Sequence, residues 1–139
     1  MKEYFTINEL CKSRVAVERK IDNSIDEKIL KNLNELISFL NPLREAWGSP
    51  IRVNSGYRCP ELNKAVGGSK TSVHMLGYAA DLYPCNGKFG KFKDFLVDYL
   101  KDKNFDQCLI EKSGNATWIH IGLYNNYHEQ RRMIKYINK

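Results

Sequence analysis

Between Ser24 and Gly48 the apolar residues Ile25, Ile29, Leu33, Leu36, Ile37 and Leu40 recur at steps of three and four. That spacing places all six on one stripe of a long amphipathic helix. Ser24-Ile25-Asp26-Glu27 has the form of a capping box, so the helix is expected to open at Ser24. Pro42 removes one backbone donor and either bends the helix or restarts it. Gly48-Ser49-Pro50 ends it. A helix with one apolar stripe needs a second layer to cover it.

The rest of the chain supplies strands. IRVNSG (51–56) alternates apolar and polar residues and reads as a strand, as does AADLYP (79–84). QCLIEK (107–112) and TWIHIGLY (117–124) read as two more, joined at Ser113-Gly114-Asn115 like a hairpin. FGKFKDFLVDYLKDK (89–103) is a second amphipathic helix, with Phe92, Phe95, Leu96 and Tyr99 on one face. TINELCKS (6–13) is expected to be a short helix capped by Thr6 and Glu9, and CPELNKAVGG (59–68) a short helix or turn stopped by glycines. The tail RRMIKYINK finishes as a strand or a loose end. Helices first, then strands broken by one helix, predict an α+β fold with a central antiparallel sheet and helices packed on it.

With 139 residues, 42% hydrophobic and 27% charged, the chain is expected to form one domain over residues 1–139 with its own core. No apolar run approaches the ~18–20 residues that span a bilayer. MKEYFTINELCKS has no apolar h-region, so synthesis in the cytoplasm without a signal peptide is expected. The net charge of +6 admits a lysine-rich coding bias, nucleic-acid binding or attraction to an anionic surface such as a cell wall. The basic residues are spread out, with one tight pair at Arg131-Arg132, and no RNP, helix-turn-helix or zinc-finger pattern occurs, which argues against nucleic acid. Cys11, Cys59, Cys85 and Cys108 form no CxxC pair and read as reduced thiols, with disulfides or zinc thiolates as alternatives.

Three residues stand out chemically. Trp118, His120 and Gly122 share one face of their strand, and Ile119, Ile121 and Leu123 share the other. With the apolar set toward the core, His120 is left for something polar. Asp81 alternates with Ala80 and Leu82 in the same way, and His74 lies in the loop just before it. Two imidazoles and one carboxylate make a common catalytic zinc shell with the fourth position open for water. The H-x6-D spacing alone does not decide between such a shell and coincidence. His128, in NNYHEQ, has no strand pattern around it and reads as a surface histidine.

SGYRCPELNKAVGG (55–68), SVHMLGYAADL (72–82) and WIHIGL (118–123), in that order, resemble the signatures of the zinc D-alanyl-D-alanine carboxypeptidase family of peptidoglycan peptidases, of hedgehog/DD-peptidase fold. The resemblance extends to FTINEL and LNPLREAWGSPIRV and covers about residues 4–124. It implies one zinc ion held by His74, Asp81 and His120. Gly77 would permit the turn between the first two ligands, and Ala79 their close packing. Ser72 matches the family serine and is expected to support His74 by a hydrogen bond. Arg58 matches the arginine near the substrate, where it would bind a carboxylate or polarise the scissile carbonyl. Tyr57 and Asn63 are expected to be structural.

Several relatives carry an acid three residues before the last histidine, where this chain has Thr117, which cannot serve as a base. In the subgroup it most resembles, a glutamate follows a D-Q-x-I stretch, here Asp106-Gln107-Cys108-Leu109-Ile110-Glu111. Glu111 is therefore the candidate general base, and Gln107 is expected to line the cleft. The resemblance implies a monomeric zinc metallopeptidase cutting peptidoglycan stem peptides, either as a D-Ala-D-Ala carboxypeptidase or as an endopeptidase. Without a signal peptide, a phage endolysin-type enzyme released through membrane holes fits. A catalytically inactive zinc-containing module that binds the cell wall is the alternative.

Overall fold

The computed structural model describes residues 2–139. It opens with α1 (Ile7–Cys11), capped by Thr6, whose Oγ1 accepts from the Glu9 amide at 3.1 Å. A second short helix follows, α2 (Arg14–Glu18), capped by Ser13. The apolar stripe forms α3 (Glu27–Trp47). Its cap is Asp26 rather than Ser24. Asp26 Oδ1 accepts from the Ile29 amide at 2.8 Å, whereas the Ser24 amide is already bound by Asp22 Oδ1 in a turn. Pro42 lies inside α3 without ending it, and Gly48 closes the helix at φ +80°. Leu33, Leu36, Leu40 and Leu43 are fully buried.

Five strands form one sheet in the order β1-β2-β4-β3-β5: β1 (Ile51–Ser55), β2 (Ala79–Pro84), β3 (Gln107–Ser113), β4 (Ala116–Gly122) and β5 (Met133–Asn138). Between β1 and β2 lies α4 (Pro60–Ala65), and between β2 and β3 lies α5 (Phe89–Tyr99). The α+β expectation holds, but the sheet is mixed rather than antiparallel. β1, β2, β4 and β3 pair antiparallel, while β5 runs parallel to β3. The cause is the return loop after β4. β4 ends with Gly122 opposite Gln107, the start of β3. The chain stays at that end, where the Arg132 and Met133 amides donate to the Phe105 and Asp106 carbonyls, both at 2.9 Å. β5 therefore begins beside the start of β3 and must follow its direction.

One face of the sheet carries Ala80, Leu82, Cys108, Ile110, Ile119 and Ile121, which pack with α3 and with Phe92 and Leu96 of α5. By alternation the other face presents Asp81, Gln107, Leu109, Glu111, Trp118 and His120. Thr117 shares the apolar side with Ile119. The hairpin between β3 and β4 turns on Gly114-Asn115, with Gly114 at φ +59°. All four cysteines are free thiols. Among the described residues, no helix is long and apolar enough to cross a membrane.

The sheet is tied to α1 just after β1. The Tyr57 amide donates to the Leu10 carbonyl at 2.7 Å, and Tyr57 packs in the core. A Cβ on Gly56 would lie 2.1 Å from that same carbonyl oxygen. Gly56→Ala is therefore expected to destabilise the fold by on the order of 3 kcal/mol, since main chain rather than a flexible side chain must move. Urea unfolding of the variant beside wild type measures this.

Candidate metal centre

His74 lies on a single 3₁₀ turn, Val73–Leu76, between α4 and β2. Ser72 Oγ caps the turn by accepting the His74 amide at 3.2 Å, so it supports the residue through its main chain rather than its ring. Gly77 ends the turn at φ +79°, a left-handed conformation that an L side chain adopts at a cost, and a Cβ there would lie 3.3 Å from Leu33 and 3.4 Å from Ile29. From α3, Asn32 Nδ2 donates to the Leu76 carbonyl at 2.8 Å. The ring itself is held from the SGYR segment: His74 Nδ1 is 2.7 Å from the Gly56 carbonyl oxygen, and the Arg58 amide donates to the His74 carbonyl at 3.1 Å. A carbonyl can only accept, so Nδ1 carries the proton and Nε2 presents a lone pair.

That lone pair faces Asp81. His74 Nε2 is 3.4 Å from Asp81 Oδ1, and the same oxygen is 3.0 Å from His120 Nδ1. Asp81 and His120 are directly paired across β2 and β4, which is why the two side chains meet. Both histidines are buried.

The donor set fits a cation. Burial pushes His74 below the ordinary histidine range, against the pull of Asp81, so its ring is neutral near pH 7. Burial pushes the Asp81 carboxyl up, but the hydrogen bond from His120 leads the effects that outweigh it and hold it well below the usual range. A neutral imidazole lone pair thus points at a carboxylate, an arrangement of two acceptors that a positive ion between them would satisfy. Tetrahedral bonds of 2.0–2.2 Å put ligand atoms about 3.3 Å apart, close to the 3.0 and 3.4 Å seen here. His74, Asp81 and His120 form a group that can hold a metal ion, their ligand atoms all within 4.8 Å of one another.

The group lies in a cleft of ≈ 660 Å³ whose lining includes Arg58, Ser72, Gln107 and Glu111. Glu111 is 7% exposed, with Oε2 3.4 Å from Lys139 Nζ. Arg58 is partly buried, and burial pulls its guanidinium below its usual value against the charges of Asp81 and Glu111. Its Nε is buried with no protein acceptor. A Cβ on Gly68 would fall 2.1 Å from Asn63 Oδ1 and 2.8 Å from Arg58 Nη1, so the second glycine of the VGG run makes room for both side chains. Asn63 is buried and donates to the Ser69 carbonyl. His128 is exposed, stacks on Tyr124 and does not line the cleft. A separate groove of ≈ 700 Å³ between α3 and Leu123-Tyr124 contains none of the candidate residues.

Several supports escaped the sequence reading. Asn23 bridges three segments, donating to the Cys11 and Tyr57 carbonyls and accepting the Cys59 amide. Asn32 holds the His74 turn. Isolated asparagines carry no motif, so neither was legible. Asp106 and Arg131 also line the cleft, as a bidentate pair at 2.8 and 2.9 Å. The tight basic pair at 131–132 was the available signal, without any indication of its partner.

Burial pushes the Asp106 carboxyl up, but hydrogen bonds and charge from Arg131 more than offset it and hold it below its usual value. With the folded value depressed, the stability it contributes is present above about pH 4 and lost as pH falls through the folded value. Arg131→Met leaves that buried carboxylate unpaired. The expected loss at pH 7 is roughly 2 kcal/mol, below the roughly 3–5 of a fully buried pair because Arg131 is half-exposed. The loss should shrink toward pH 4, where the stranded carboxyl takes up a proton. Denaturant unfolding at the two pH values reads both effects.

Residues 3–122 match the sequence model of the family described as Peptidase M15. A zinc D-Ala-D-Ala carboxypeptidase from Streptomyces albus G is 50% identical over 44 residues. That stretch is 31% of this chain and spans 17% of the relative's length. With most of its length matched, this chain belongs to the peptidase M15 family.

Proposed function

We propose that this chain is a zinc-dependent metallopeptidase that hydrolyses peptide bonds in peptidoglycan stem peptides, as a D-Ala-D-Ala carboxypeptidase or an endopeptidase acting on the cell wall. The convergence of His74, Asp81 and His120 in one cleft with Glu111 and Arg58 carries this reading. Family membership and the zinc carboxypeptidase relative support it. Residues 1–139 would work as one monomeric zinc peptidase domain of hedgehog/DD-peptidase type.

His74 Nε2, an Asp81 oxygen and His120 would hold the zinc ion, which when bound lowers the pKa of a water to about 7 and polarises a carbonyl. The chain's own groups do the rest. Glu111 takes a proton from the attacking water and returns it to the leaving amine. Arg58, its Nε free of protein acceptors, donates to the developing oxyanion or to a substrate carboxylate. Gln107, on the same strand face as Glu111, borders the bound peptide. The Gly56 carbonyl keeps His74 in the tautomer that leaves Nε2 unprotonated.

The test is digestion of a panel of stem peptides, some ending in D-Ala-D-Ala and some cross-linked, with products read by mass spectrometry. Release of a terminal alanine assigns carboxypeptidase activity, and an internal cut assigns an endopeptidase. Binding of the zinc-loaded protein to intact peptidoglycan with no product from any peptide would overturn the enzyme and leave a wall-binding module.

A further inference from the structure

The family match ends at residue 122, yet the chain continues into β5 and brings two cations back to the cleft. Arg131, before β5, pairs with Asp106 beside the start of β3. Lys139, just after β5, reaches Glu111 near the end of β3. We infer that Lys139 is a positioning residue for Glu111, holding one carboxylate oxygen so that the other is aimed for proton transfer. The inference rests on the reading of Glu111 as the base.

The backbone of Lys139 is held at its amide. Its amide donates to the Lys112 carbonyl at 2.7 Å, continuing the parallel pairing that sets Ile137 beside Glu111 and Asn138 beside Lys112. From there Nζ lies 3.4 Å from Glu111 Oε2 and 5.8 Å from the centre of the Trp118 ring, on the strand opposite. Trp118 is the cross-strand partner of Glu111, so carboxylate, indole and ammonium form one cluster. Arg58 also lies within electrostatic reach of Glu111. Lys139 engages Oε2, which leaves Oε1 to accept a proton. A glutamate has three rotatable side-chain bonds, and a base displaced by 1 Å can lose about 10²-fold in rate. A lysine anchored at its amide just past β5 therefore gives this carboxylate an orientation that the hairpin alone does not.

The experiment uses the full zinc-loaded chain with Lys139→Met, Lys139→Arg and each of these combined with Glu111→Gln. Steady-state kcat and KM are measured on a cleaved stem peptide, and the 13C resonance of the Glu111 side-chain carboxyl is followed at fixed pH. Lys139 is half-exposed, so the expected loss is moderate: kcat falls about three- to tenfold in Lys139→Met, with KM within about twofold. Lys139→Arg regains most of it. The Glu111 resonance moves in Lys139→Met and returns toward its wild-type position in Lys139→Arg. In the Glu111→Gln background, Lys139→Met adds no further loss. Wild-type turnover with an unchanged kcat in Lys139→Met, or an unmoved resonance, overturns the inference alone. Absence of turnover by the wild type, despite the resonance shift, overturns the reading of Glu111 on which it rests.

Discussion

Glu111→Gln should lower turnover of a stem peptide by roughly 10²–10⁴-fold, the usual contribution of a positioned general base. The amide has nearly the same shape, so the fold and the zinc content should stay at wild-type levels. Glu111 is not one of the three clustered ligands. The loss should fall on kcat, since the proposed role of the carboxylate is on the reacting water and not on a remote part of the substrate. The competing carboxylate in the cleft is Asp106, but both its oxygens accept from Arg131, which holds the carboxyl below its usual value and makes it the poorer proton acceptor. A loss of less than about tenfold in Glu111→Gln would remove Glu111 from the chemistry. Mass-spectrometric product counts on matched, zinc-loaded samples decide it.

His120→Ala should reduce hydrolysis below detection and release the metal. The substitution takes one of the three proposed ligands and leaves Asp81 without the group that most strongly holds its charge. The drop in zinc affinity should exceed the roughly 10–100-fold that follows from losing a hydrogen-bond partner of a ligand. Metal content by plasma mass spectrometry and activity on the same preparation should fall together. Excess zinc should not restore the activity, because the geometry is incomplete rather than merely weakly filled. Retention of one tightly bound zinc and of turnover in His120→Ala would remove this residue from the centre.

The placement of His120 and Asp81 was legible in the sequence for a physical reason, whereas their reading as ligands, and that of Glu111 as the base, came from the family resemblance. A strand exposes alternate residues, so WIHIG fixes where His120 points once its isoleucines are buried, and AADLYP does the same for Asp81. The helical stripe of α3 was legible because its period has only one solution. The first turn of that helix was misread because Ser24 and Asp26 both look like caps, and the choice depends on Asp22, which takes the Ser24 amide. The direction of β5 was not legible because nothing local in RRMIKYINK sets it. Main-chain hydrogen bonds from Arg132 and Met133 to Phe105 and Asp106 do, and those segments meet only after folding. The asparagine braces at 23 and 32 were hidden likewise, since each joins segments distant in the chain.

The most direct test is a zinc titration of chelator-stripped protein, following release of peptide products from purified peptidoglycan. Turnover should be absent in the stripped protein, rise linearly with added zinc, and level off at one equivalent, as a single His74-Asp81-His120 centre requires. Undiminished turnover after complete stripping, or one equivalent of zinc bound with no product released, would contradict the account.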